Sequence, residues 1–177
     1  MSVKTILRLG DPRLEKVSRP VTRGDWVRLP TLLQDLWDTL IASGGSGLAA
    51  PQIGVPLRVV LVGSPLSERY PEQGLIPPRY LINPKLEALE GGESPFWEGC
   101  LSVPGLRGEV WRPDRIRCQA LDKEGRRVDE EMSGFIARVV QHECDHLDGV
   151  LYPQRLRDPQ RFGFFEELSA RGMIPAR

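Results

Sequence analysis

The chain contains two histidines, and they stand four residues apart in Gln141-His142-Glu143-Cys144-Asp145-His146. Ser133 offers an N-cap before them and Gly149 a C-terminal stop just after, which predicts a helix from about Ser133 to Leu147. On a helix, positions i and i+4 share a face, so both imidazoles reach a single ion, and Glu143 between them can address its water. No other feature restricts the fold as much. A catalytic metal usually takes three protein ligands and keeps a fourth position open, so another part of the chain must fold back to this helix with a ligand.

With no third histidine, that ligand is a Cys, Asp or Glu. Cys144 lies two residues past His142, about 200° around the helix, and is read as a small core residue. Cys118 sits in an apparent strand, Ile116 to Leu121, where a buried structural thiol is expected. Cys100 lies in Glu98-Gly99-Cys100-Leu101-Ser102-Val103-Pro104, between a glycine and a turn-forming Pro-Gly pair, where a thiolate can face a cleft. Glu166 is the rival, twenty residues beyond His146, a spacing found in zinc metallopeptidases with a downstream glutamate. Phe162 stands where those proteins place an asparagine. Spacing alone leaves Cys100 and Glu166 both open.

A first helix is predicted over Thr31 to Ser43, where Leu32, Leu33, Leu36, Trp37, Leu40 and Ile41 recur at helical spacing before Gly44-Gly45. Leu57 to Val62 reads as a buried strand. From Tyr80 to Val128, short strands are divided by Asn83-Pro84, Gly91-Gly92, Pro104-Gly105, Arg112-Pro113 and Glu124-Gly125. Ser64 to Pro78, with four prolines, reads as an exposed loop, and Gln160 to Ala170 as a third, short helix with Phe162, Phe165 and Leu168 inward. The expected fold is α+β: small antiparallel or mixed sheets around the metal-binding helix, with an N-terminal and a short C-terminal helix, in one domain over 1–177. The balance of 24 basic against 24 acidic residues provides no basic stripe, so nucleic acid is not an expected partner. Three cysteines are too few for a disulfide framework, the N-terminal residues lack the apolar core of a signal peptide, and no stretch approaches the length of a membrane span, so neither is expected. The expected location is the cytoplasm.

Three ordered segments resemble the motifs of one family. Gly45-Ser46-Gly47-Leu48-Ala49-Ala50-Pro51-Gln52-Ile53-Gly54, Glu98 to Ser102, and Gln141 to His146 look like the GxGLAAxQ, EGCLS and QHExDH motifs of peptide deformylase. Gly10-Asp11-Pro12-Arg13-Leu14 is similar to that family's N-terminal signature. The resemblance implies hydrolysis of the N-formyl group from the initiator methionine of nascent polypeptides, with release of formate. It also implies Cys100, His142 and His146 as ligands, with Glu143 as general acid and base while hydroxide formed at the ion attacks the formyl carbon. The oxyanion donors so implied are the Gln52 side-chain amide and the Leu101 N–H. Related enzymes bind the peptide backbone along the segments matching Gly45, Ser46 and Gly47 and near Gly99, with Arg107 at the cleft mouth.

Helix geometry adds a substrate pocket, because Phe135 and Val139 precede His142 by seven and three residues and share its stripe. Arg138 interrupts that stripe and is expected to snorkel to the rim. The cofactor is one divalent ion. The resemblance points to Fe(II), and the ligand set also suits Zn, Ni or Co. The expected partners are formyl-Met nascent peptides near the ribosome, and with a short tail, docking through the long C-terminal helix of some relatives is not expected. No membrane partner is expected.

Overall fold

The computed structural model describes residues 2–64 and 76–175. Among them, β1 (Gly47–Ala49), β2 (Val59–Ser64), β3 (Ile76–Ala88), β6 (Arg115–Leu121) and β7 (Arg127–Ser133) form a five-stranded sheet in the order β1-β2-β3-β6-β7. A second sheet holds β4 (Glu93–Cys100), β5 (Val103–Pro113) and β8 (Phe162–Phe164) in the order β4-β5-β8. All these pairings are antiparallel. The helices are α1 (Leu29–Ser43), α2 (Gly134–Leu147) and α3 (Phe165–Ala170), which makes the architecture mixed α+β. None is long and apolar enough to cross a membrane.

α1 begins two residues before the predicted start, with Pro30 in its first turn, where a missing N–H costs nothing. It ends at Gly44, whose φ of +61° suits a left-handed cap. Leu29, Leu32, Leu33, Leu36 and Leu40 bury against Leu48, Val59, Leu61 and Ile82, whereas Ile41, expected inside, is exposed. β7 runs directly into α2, and Gly134 at φ +63° makes the bend. Ser133 does occupy the N-cap position, though its hydroxyl makes no capping hydrogen bond. From Ala137 to Leu147 every residue of α2 is buried. Ala137, Val140, Cys144 and Leu147 pack on Val60, Val62, Leu81, Ile116, Cys118 and Met132, so Cys118 and Cys144 are core residues. The rest of the helix meets β4, β5 and the segment after α2.

Several expected breaks are instead absorbed into strands. Asn83-Pro84 is a bulge inside β3, where the register shifts between Ile82 and Lys85. Asn83 takes φ +54°, and its amide bonds both the N–H and the carbonyl of Val21. Pro104-Gly105 lies within β5, and the hairpin closes earlier, with Cys100 opposite Val103. Most of the expected proline-rich loop lies outside the described residues. Its ends are strand, since Ser64 pairs with Ile76 and Ile76 to Pro78 open β3. The predicted third helix is shortened to Phe165–Ala170, because Phe162 pairs with Gly108 at the edge of β5. Gly108 leaves room there for the rings of Phe162 and Tyr152.

Candidate metal centre and active site

The pairing of β4 with β5 is irregular between Glu98 and Cys100, yet both side chains are buried towards α2, where Glu98 meets His142 and Cys100 meets His146. The ligand atoms of Cys100, His142 and His146 lie within 4.8 Å of one another, and all three residues are buried. Cys100 Sγ is 3.3 Å from His146 Nε2. An ion with tetrahedral bonds of roughly 2.0–2.3 Å holds its ligand atoms about 3.3–3.6 Å apart, so the donor set fits such an ion. Burial alone would raise the Cys100 thiol, but the charges and hydrogen bonds of His146 and His142 outweigh it and hold the thiol well below its ordinary range. The thiolate is the form that binds metal.

His142 turns its other nitrogen outward, with Nδ1 2.8 Å from Glu98 Oε2. Burial lowers its pKa, yet hydrogen bonds to Cys100 and Glu98 lift it well above its usual value. Glu98 is in turn gripped by Arg112, through Nε at 2.6 Å and Nη2 at 3.0 Å. Arg112 Nη1 donates to Asp145 at 2.9 Å, and Arg155 closes the far side of Asp145 at 2.6 and 3.1 Å. Against the penalty of burial, His142 and Arg112 hold the Glu98 carboxyl at about 2. Tyr152 stacks on His142, with ring centroids 6.0 Å apart.

Glu143 lies on the cleft side. Its pKa is pushed up to about 7, first by burial and further by the Cys100 charge, against the pull of His142 and His146. Its Oε2 is buried and makes no hydrogen bond to the described residues. A Cβ on Gly47 would sit 2.5 Å from Glu143 Oε1, so this glycine makes the room for the carboxylate. The Gln52 amide is fixed in orientation: Oε1 accepts the Ala49 N–H at 2.7 Å, while Nε2 faces Ser102 Oγ at 3.2 Å and Cys100 Sγ at 3.6 Å.

One cleft brings together Gly45, Ser46 and Gly47, Gln52, Gly99 to Leu101, and Phe135 and Val139 beside His142 and Glu143. Val139 both lines the cleft and packs in the core. Arg107 does not line it: the guanidinium is buried against Gly99, where a Cβ would collide with it, and lies 5.6 Å from the Phe165 ring. Arg138 lines the cleft, as expected, but does not snorkel to water. It is buried, lies over Phe96 at 5.3 Å, and donates to the Val110 and Ser94 carbonyls, which pay for its desolvation. Glu166 is exposed on the first turn of α3, outside the group of candidate ligands. The sequence reading missed Glu98 as a partner of His142, together with Arg112, Asp145, Ser102 and Phe96. The one available signal for Glu98 was its i,i+2 spacing from Cys100 in a strand.

Residues 3–162 match the family model described as polypeptide deformylase. Peptide deformylase 1 of Prochlorococcus marinus is 54% identical over 175 residues, 98% of this chain and 91% of that protein. Peptide deformylase 2 of Ralstonia nicotianae is 51% identical over 166 residues, 94% of each. A crystal structure of a peptide deformylase from Synechococcus elongatus in complex with actinonin aligns with a TM-score of 0.79 at 31% identity, covering 99% of this chain and 89% of that one. A Met-Ala-Ser-bound class I type b peptide deformylase from Acinetobacter baumannii gives 0.82 at 33%, covering 88% and 100%.

Proposed function

Because the chain belongs to the polypeptide deformylase family, whose members are metal-dependent hydrolases that deformylate nascent peptides, we propose that its reaction runs at Cys100, His142, His146, Glu143 and Gln52. The observation that carries this is the convergence of one thiol and two imidazoles within 4.8 Å, with an otherwise unpartnered carboxylate oxygen beside them. A divalent ion at the three ligands would lower the pKa of a coordinated water and so supply hydroxide near pH 7.

The remaining work falls to the chain's own groups. Glu143, with a pKa near the operating pH, takes a proton from the attacking water and returns it to the departing amine. The Gln52 Nε2 and the Leu101 N–H face the developing oxyanion of the formyl group. Removing one such donor typically costs about 10²–10³ in rate. Phe135 and Val139 form the wall for the methionine side chain, and Gly45 to Gly47 with Gly99 flank the peptide backbone, with Arg107 buried behind Gly99 as its support. We take the native ion to be Fe(II), the chain to act as one domain in the cytoplasm, and its substrates to be formyl-Met chains emerging close to the ribosome.

Formate release from a formyl-Met tripeptide by anaerobically purified, metal-analysed protein tests the reading. Cys100→Ala should lose the metal, Glu143→Ala should keep it and lose turnover, and Glu166→Ala should change neither. Metal retained in Cys100→Ala and lost in Glu166→Ala would favour the metallopeptidase arrangement instead. Loss of activity on peroxide treatment is expected for iron and a thiolate ligand; full activity afterwards would point to zinc or nickel.

A further inference from the structure

The three segments that carry the site are distant in sequence, yet one stretch near the N-terminus touches all of them. Along residues 7–18, the Leu7 N–H donates to the Gln52 carbonyl, the Leu9 N–H to the Ser102 carbonyl and the Ser18 N–H to the Leu147 carbonyl, each at 2.8 Å. Gln52 holds the amide described above, Ser102 follows Leu101, and Leu147 follows His146. This strap is itself fixed. Leu7 and Leu14 are buried with Leu151, and the chain passes so close to Gly149 that a Cβ there would sit 2.5 Å from the Glu15 carbonyl oxygen.

Between the second and third ties lies Gly10-Asp11-Pro12-Arg13-Leu14, a motif to which the reaction assigns no role. The Asp11 N–H donates to the Arg8 carbonyl at 2.9 Å, and Gly10 takes φ +99° while Leu9 does not have a positive φ. Leu9 and Gly10 are thus the central residues of a type II turn, which calls for glycine at its third position. The Asp11 carboxylate accepts the Arg13 N–H at 3.0 Å and Arg13 Nε and Nη2 at 2.9 and 2.6 Å, locking the turn.

Apart from Leu101 packing on the cluster that holds Leu48 and Ala50, the Gln52 and Leu101 segments meet through the Gln52 amide, whose closest partner across the gap is Ser102 Oγ at 3.2 Å. Donors to a transition state must be held to within about 0.5 Å. We propose that this strap is a positioning element for deformylation: the Leu7 and Leu9 amides set the spacing between the Gln52 amide and the Leu101 N–H. The proposal rests on the oxyanion roles given above.

Leu9→Pro isolates the effect. The Leu9 side chain is 54% exposed, and proline is favoured at the second position of a type II turn, so the substitution deletes one N–H and little else. The expected result, with a formyl-Met tripeptide, is a roughly tenfold fall in kcat with KM within about twofold and bound metal unchanged, set against the ~10²-fold of a 1 Å misplacement. Leu9→Ala should match the parent. On a Gln52→Ala background, Leu9→Pro should cost less than about threefold, because the two changes strike one interaction. Unchanged kcat in Leu9→Pro, or the same tenfold loss on the Gln52→Ala background, would overturn the role of the strap while leaving the oxyanion donors intact. Full kcat in Gln52→Ala alone would instead remove the oxyanion assignment and the strap's role with it. If Leu9→Pro does not fold, replacing the Leu9 amide by an ester through semisynthesis deletes the same N–H and must show the same split.

Discussion

The same ion pair is built twice in this molecule, with opposite consequences. On the outer face of β6 and β7, Arg117 grips Asp129 at 2.6 and 2.8 Å, and both side chains are nearly half exposed, at 47% and 42%. Behind the candidate metal ligands, Arg112 grips Glu98 at 2.6 and 3.0 Å with both at 5%. The bond lengths barely differ. What differs is the alternative open to each charge: water replaces the outer partner at little cost, whereas the inner carboxylates are shielded from water and depend on fixed neighbours, with Arg112 bridging both while Arg138 and His142 flank Glu98 and Arg155 flanks Asp145. Similar geometry thus decorates one region and is indispensable in the other.

The sharpest way to break this comparison is Arg112→Leu, which leaves Glu98 and Asp145 buried without their shared partner. A loss of about 3–5 kcal/mol in urea unfolding is expected, and a loss under about 1 kcal/mol would mean that burial makes no difference. Glu98→Gln keeps the volume and removes the charge facing His142. Metal affinity measured against a competing chelator should weaken by about 10–100-fold, with the fold retained.

Acid gives a smaller, graded effect. The folded Glu98 carboxyl stands at about 2, below its ordinary 4.5. A carboxyl depressed by folding contributes stability fully above its unfolded pKa, and that contribution is lost as pH falls from about 4.5 towards 2. Metal-stripped protein should therefore lose unfolding midpoint across this window, and Glu98→Gln should flatten the loss. Asp129 is held at about 2 by Arg117 and Gln119, so it titrates in the same window, but 0.5 M NaCl should screen its share and leave that of Glu98. The smallest change is Arg117→Ala, which should leave the thermal midpoint within about 2–3 °C; a larger drop would show that the outer pair is not interchangeable with water.

How far the sequence disclosed this arrangement depends on the range of the forces involved. α1, α2 and β6 were legible because local periodicity and caps specify them, and so was the pairing of His142 with His146. Asn83-Pro84 misled because the same residues that start turns also form bulges, and only the neighbouring strand decides which. Phe162 carries a helical spacing with Phe165 and Leu168, yet the bare Gly108 edge of β5 gives its ring a better seat. Arg138 illustrates the general difficulty. A buried arginine is intelligible only once the Ser94 and Val110 carbonyls are in place, and these arrive from another sheet. The Glu98–Arg112–Asp145 cluster was hidden for the same reason, being assembled from three separate elements.

Gly47 carries one more consequence, an evolutionary one. The Glu143 carboxylate occupies the volume that any Cβ at position 47 would claim. Every single-nucleotide change that replaces glycine with another amino acid introduces that atom. No stepwise mutational path away from glycine can therefore begin at this codon without first displacing the acid, unless a second change elsewhere has already shifted α2 or β1 to make space.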